Sequence, residues 1–419
     1  MNPPTDSRRA ELSATVRRLV LQTPLVDVHT HLYDPALGGL LLWGLDEQLV
    51  YHYLVAEAFR IHSLGPEPFW ALPKSRQAEL VWKSLFVDRS PLSEASRGVV
   101  TSLHRLGLDP RKQDLESLRR WFGSWKVEDY ITRCLELAGV QSLFMTNSPF
   151  DDEERPHWMA GFSRDSRFLS ALRIDPLLVS WSTAAVRLAE WGYIDSPDLN
   201  QRSISGARRF LAEWARRLDA RYVMVSLPPS FRYPDGGETA RLIAEVVIPF
   251  CRETGLPFAL MLGVERAVNP ALQLAGDGVG PSDLRSLQSL CAAHPEVRFL
   301  VTVLSRENQH QLCVLARKFR NLHPFGCWWF TNVPSLIDEI TRQRIELLGL
   351  SFTPQHSDAR VLDQLLYKWE HSRLILADVL SEKYLDLAAA GWWASEEEIR
   401  RDVQDLLGGA FLRFCGSPP

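Results

Sequence analysis

LVDVHTHLYD, residues 25–34, decides how the rest of the chain is read. It opens as an apolar, β-branched run of the kind found in strands buried on both faces. The run ends in an H-x-H pair, His29 and His31. Alternation along a strand puts residues i and i+2 on one face, so both imidazoles can point to the same side. Two neutral ring nitrogens so placed suit a divalent metal. Asp27 is expected to face the other way and to be structural. The plainer alternative is a pair of ordinary loop histidines, and what decides against it is a matching carboxylate far downstream, Asp358 in QHSDAR (355–360).

Seven more strand signals follow outward from this one: Gln141–Met145, Phe168–Leu172, Tyr222–Leu227, Pro257–Leu262, Arg298–Leu304, Phe325–Phe330 and Leu347–Thr353. Most are separated by stretches of helical periodicity, the pattern of parallel strands joined by crossover helices. Polar and ionisable residues gather just after them: TNSPFDD after the second, RIDP after the third, GVER after the fifth, SREN after the sixth. Barrel enzymes carry their active sites at the strand C-termini, so the fold class expected is α/β, a (β/α)₈ TIM barrel. A doubly wound open sheet would want a Gly-rich phosphate turn after strand one, and none is present. The chain of 419 residues suits a single barrel domain spanning 1–419, with helical insertions at about 40–137 and 177–220. A last helix is expected over Ser395–Phe414, opened by an S-E-E-E cap.

In such a barrel strands one and eight are neighbours, so Asp358 can reach a metal held by His29 and His31, or act as a general base. Its alternative use is as N-cap of a helix beginning near Val361. Arg173 after strand three and Arg360 after strand eight sit at the same rim. Their planar guanidinium forks suit a substrate carboxylate, unless each pairs with Asp175 or Asp358. His52 and Tyr53 lie on a helix of the first insertion, where spacing alone favours core packing for Tyr53.

The formal charge of −4 offers no field for nucleic acid, and an anionic substrate must be met by local arginines. Six scattered cysteines, without short ligand spacings, read as reduced thiols of a cytoplasmic protein. No secretory or membrane-spanning segment is seen. A small-molecule partner is expected, with no nucleic acid and no membrane, and homo-oligomerisation is open.

The order of motifs resembles that of the uronate (glucuronate) isomerases of the amidohydrolase superfamily, from about Leu25 to the C-terminal helix. DVHTHL matches that family's D-x-H-x-H-L, HYLVAEAFR its H-Y-x-W-R-x-M-R and TNSPFDD its T-D-D-P-x-D-D. ALRIDP matches W-R-P-D, LSREN resembles L-N-P-R-D-N, GCWWF matches G-x-W-W-F and SDAR matches T-D-S-R. The resemblance implies a divalent metal, zinc or manganese, on His29, His31 and Asp358, and a hexuronate carboxylate on Arg173 and Arg360. It moves His52 and Tyr53 into the proton-transfer machinery and makes Trp328 and Trp329 walls of the sugar pocket. The implied reaction interconverts an aldose and a ketose uronic acid through an enediol, with Asp358 or Tyr53 as base. The alternatives are a decarboxylase or hydrolase on a carboxylated substrate, or a non-catalytic binder of sugar acids. Departures are local. VSLPP puts Leu227 and Pro228 where the family has S-D-H, LMLG puts Met261 in place of a histidine, and KWEHS replaces R-H-E-Y-F. These predict one apolar pocket wall, which His356, without a family equivalent, can offset.

Overall fold

The computed structural model describes residues 6–416. Seven parallel strands run in one sheet in chain order: β1 Leu25–Thr30, β2 Val140–Asn147, β3 Phe168–Arg173, β4 Ala220–Leu227, β5 Phe258–Leu262, β6 Phe299–Val303 and β7 Leu322–Pro324. An extended segment, Thr353–Ala359, takes the eighth place. It is bridged to β7's flank at Phe325 and closes on β1, where Asp358 N donates to His29 O at 3.2 Å and His31 N to Ala359 O at 2.8 Å. The sheet is thereby curled into the (β/α)₈ barrel expected.

Alternation along each strand separates two cores. Leu143, Val223, Val225, Leu227, Leu260 and Val301 pack outward against the helices. Val28, Phe144, Ala171, Tyr222, Met224, Ala259, Met261 and Leu300 fill the interior. Both faces of β1 to β6 therefore carry apolar side chains, which is why these strands read as continuous runs rather than as a period of two. Phe411 plugs the interior from the N-terminal end, its ring 5.8 Å from that of Phe144 and 5.7 Å from that of Tyr222.

Three expected elements differ from what is observed. The aromatic run Phe325–Phe330 is not a strand: Gly326 (φ 68°) and Trp329 (φ 46°) turn it out of extended backbone, and β7 ends before it. Leu347 and Leu348 finish the helix Pro334–Leu348, so the eighth run begins late. There a side chain replaces part of a ladder, since Gln355 Oε1 accepts from Cys327 N at 2.8 Å. The last helix starts as expected, with Ser395 and Glu398 capping reciprocally, but it kinks at Gly408 (φ 128°). A Cβ there would sit 2.8 Å from that of Val26, so the bend brings Phe411 under the barrel only because residue 408 is glycine.

Between β1 and β2 the chain is helical, including His52–Ala58, Glu94–Arg105 and Val127–Ala138, and between β3 and β4 it forms Asp175–Val179, Trp181–Glu190 and Gln201–Leu218. The 26-residue helix Gln364–Ala389 follows the eighth segment and packs on the N-terminal helix Asp6–Gln22 and on Glu94–Arg105. Among the described residues, no helix is long and apolar enough to cross a membrane.

Candidate active site

His29 and His31, at the end of β1, converge on Asp358. Nε2 of each ring lies 3.3 Å from Asp358 Oδ1. One ligand atom from each of the three residues falls within 4.8 Å of the others. The register of β1 against β2 shifts between Asp27 and Thr30, and this irregularity re-aims the strand end. Asp358 takes φ 53°, a backbone state that aspartate adopts more readily than most residues. It caps no helix: Gln364 Oε1 accepts from Arg360 N and Val361 N instead. Asp27, fully buried, holds the segment from behind by accepting from Ser357 N at 3.0 Å and Trp369 Nε1 at 2.8 Å.

The protonation state of His31 follows from its neighbour. Thr146 Oγ1 donates to Thr30 O at 3.0 Å, so its lone pair faces His31 Nδ1, also at 3.0 Å. Nδ1 then carries the ring proton and Nε2 presents a lone pair toward Asp358. Burial, reinforced by the charge of Arg360, pulls the His31 pKa down to about 3, which keeps the ring neutral. Burial opposes ionisation of Asp358, but the adjacent imidazoles outweigh it wherever Nε2 carries the proton, and the carboxyl is then held well below its ordinary range. Both nitrogens of His29 and Asp358 Oδ1 are buried without a hydrogen-bond partner. Such orphans are costly unless a ligand satisfies them. Neutral imidazoles, an ionised carboxylate and unspent lone pairs fit a divalent metal ion.

The two arginines differ. Arg173 is ion-paired with Asp175, whose other oxygen accepts from Ser226 N at 2.7 Å, so part of its fork is already engaged. Arg360 makes no side-chain hydrogen bond or ion pair among the described residues, yet its charge helps depress both His31 and His52. Its fork remains open for a ligand.

His52 and Tyr53 open the helix His52–Ala58, behind Tyr51. The Tyr53 ring touches both cores, as its spacing foretold, but its hydroxyl is buried and unpartnered, as is His52 Nε2. Burial first, then Tyr51, Asp358, Tyr367 and Glu94, push the Tyr53 phenol well above its ordinary value. Trp329 lies 5.5 Å from His52, ring to ring, and its Nε1 is likewise unpartnered. Trp328 and Trp329 belong to the interior cluster, which puts both indoles at the barrel mouth. His356 is fully buried, 4.9 Å from the His29 ring, with both nitrogens unpaired. A Cβ on Gly326 would come within 1.7 Å of this imidazole, so the glycine of GCWWF makes room for His356.

The expected apolar wall is only partly formed. Met261 faces the interior, but Leu227 packs in the outer layer, and with Pro228 it lines a cleft of about 180 Å³ beside Leu178, Phe231 and Arg232. Sequence reasoning also missed Thr146, Tyr51 and Lys368. Thr146 is the T of TNSPFDD and Tyr51 precedes the His52–Tyr53 pair, so each lay next to a recognised motif. Lys368 is the first residue of KWEHS, a motif noted only as a departure, so its cation was passed over.

The chain matches no protein-family model, and no curated protein matches it. Among solved structures it is similar to a uronate isomerase from Bacillus halodurans C-125, at 49% identity and TM-score 0.96 over 100% of this chain and 98% of that one. A uronate isomerase from Thermotoga maritima superposes at TM-score 0.75 with 16% identity, covering 96% of each chain. A glucuronate isomerase from Caulobacter crescentus does so at 0.70 with 14%, over 99% of this chain and 95% of that one. The latter two likenesses bear on the fold.

Proposed function

The chain belongs to the uronate isomerase family, and from that premise we propose that it interconverts an aldose and a ketose uronic acid of the glucuronate/fructuronate type. The observation that carries this reading is the full-length likeness at 49% identity. The site geometry supports it, because the groups such a reaction needs surround one set of unpartnered polar atoms.

His29, His31 and Asp358 would hold the metal, and their N/O donor set favours zinc or manganese. When bound, the ion supplies Lewis-acid polarisation of substrate oxygens. Arg360 receives the substrate carboxylate in its open fork, with Arg173 as a second, partly engaged cation. In the open-chain aldose, the C2 hydrogen leaves as a proton and the C1 carbonyl oxygen gains one. The resulting enediol becomes the ketose when C1 is protonated and the C2 hydroxyl gives up its proton. Atoms and electrons balance without an outside oxidant.

Asp358 and Tyr53 were equal candidates for base on sequence alone. Their surroundings divide the work. Asp358 starts ionised and accepts the C2 proton, whereas Tyr53 starts protonated and donates to the carbonyl oxygen. His52, kept neutral chiefly by burial and next by the Arg360 charge, stands beside Tyr53 as a relay. Trp328, Trp329 and the barrel rim exclude water from the enediol.

Metal-loaded protein incubated with a panel of uronic acids should form the matching ketoses. Ketose formation from none of them, with release of carbon dioxide or hydrolysis of another carboxylated compound, would replace the isomerase reading by one of its relatives.

A further inference from the structure

Lys368 lies on the helix Gln364–Ala389, only 2% exposed. Its Nζ is 5.9 Å from the centre of the Tyr53 ring and 5.4 Å from that of Tyr367. Among the described residues its ammonium makes no hydrogen bond or ion pair within 4.0 Å. A largely buried ammonium that makes no direct ion pair is expensive, and a chain retains one where its charge is used. A methionine of similar length would fill the same space without that cost.

The groups around Tyr53 show what the charge could be used for. Tyr51, Tyr367, Asp358 and Glu94 all oppose a negative charge on its oxygen, and His52 beside it is neutral. Glu94 is itself drawn toward ionisation by Lys368 and Arg97, though its own burial outweighs them. Arg360 is directed at the substrate carboxylate in the reading above. A phenol that hands its proton to a substrate oxygen becomes a phenolate for the life of the enediol, and Lys368 is a cation 5.9 Å from the centre of that ring.

We propose that Lys368 is a positioning residue for Tyr53, its buried ammonium stabilising the phenolate formed each time Tyr53 gives its proton to the substrate. This rests on the isomerase reading, because the phenolate exists only in that reaction. Lys368 acts through Tyr53 and need not touch the sugar. Its loss therefore falls on kcat rather than on KM, and it disappears when Tyr53 can no longer ionise.

The test is a double-mutant cycle of Lys368→Met with Tyr53→Phe on metal-loaded enzyme. Lys368→Met should lower kcat by at least about 100-fold, the lower range of positioned acid–base catalysis, with KM held within about threefold. Lys368→Arg, which keeps the charge, should recover most of that loss. In the Tyr53→Phe background, Lys368→Met should change kcat by less than about threefold. Losses that multiply across the cycle, or a loss confined to KM, would overturn the proposal by making Lys368 an independent substrate contact. Unchanged kcat would overturn it too. Should the methionine variant fail to fold, Lys368→Gln takes its place in the same cycle. If the wild-type protein turns over no uronate, it is the isomerase reading that fails, and this is seen before the cycle begins.

Discussion

At the residue scale, Thr146 does more for the metal than its plain chemistry suggests. By accepting a hydrogen bond from His31 Nδ1–H it fixes which nitrogen is free, and partners of this kind are worth about 10–100-fold in metal affinity. We expect His31→Ala to abolish bound metal and Thr146→Val to weaken it by that factor, read by elemental analysis and chelator competition. Equal affinity in Thr146→Val and wild type would show that the tautomer is set elsewhere. The arginines should separate in the same way. Arg360, unpaired among the described residues, is proposed to spend its charge on substrate, and a charge-assisted bond of roughly 1.5–3 kcal/mol predicts a KM raised about 10- to 150-fold in Arg360→Met with little change in melting temperature. Arg173→Met strips Asp175 of its partner, so it should lower stability as well as affinity. The reverse pattern would exchange their roles. H-x-H, Asp358 and the arginines were legible because strand alternation and barrel order fix where such residues point. Thr146 and Lys368 stood inside TNSPFDD and KWEHS, but their roles were not legible, since only the tertiary fold brings a strand-end threonine to an imidazole or a helical lysine to a distant tyrosine.

At the scale of elements, the first six strands were readable because residues buried on both faces leave unbroken β-branched runs. The seventh and eighth were misplaced for a physical reason. GCWWF has the composition of a strand, but Gly326 must turn to admit His356, and the next segment is held by Gln355 and Asp27 side chains rather than by a ladder. The helix that follows is pinned to Glu94–Arg105 at His371, whose ring nitrogens face Arg97 Nη2 at 3.3 Å and Thr101 Oγ1 at 3.2 Å. Burial, then the charges of Arg97 and Lys368, lower the His371 pKa to about 4. A folded-state pKa below the unfolded value means that this stability is present above about pH 6.5 and is lost as the pH falls toward 4. The loss by pH 4.5 should be on the order of 2–3 kcal/mol. Urea unfolding at pH 7 and pH 4.5 should show a smaller acid penalty in His371→Gln than in wild type, and identical penalties would mean that the helix contact does not titrate.

For the whole molecule, the barrel, the family and the gathering of His29, His31 and Asp358 were readable in the sequence, because the first six strand signals and seven motifs fall in one order. The break in the last helix was not, as it depends on Gly408 meeting Val26 from the far end of the chain. The triad joins β1 to the eighth segment, so an ion there ties the two ends of the barrel sheet. An ion that binds only the folded state at about 100 times its Kd adds roughly 2.7 kcal/mol. Chelation should therefore lower the melting temperature, and zinc or manganese should restore it. No change on chelation would place the metal outside this seam.

The most direct measurement of the central claim follows glucuronate in D₂O by proton NMR with metal-loaded protein. The account predicts loss of the C2–H signal and growth of the corresponding ketose, with any solvent deuterium entering at C1 or C2. A C2–H signal that persists while no ketose forms, from glucuronate or any other uronate offered, would contradict it.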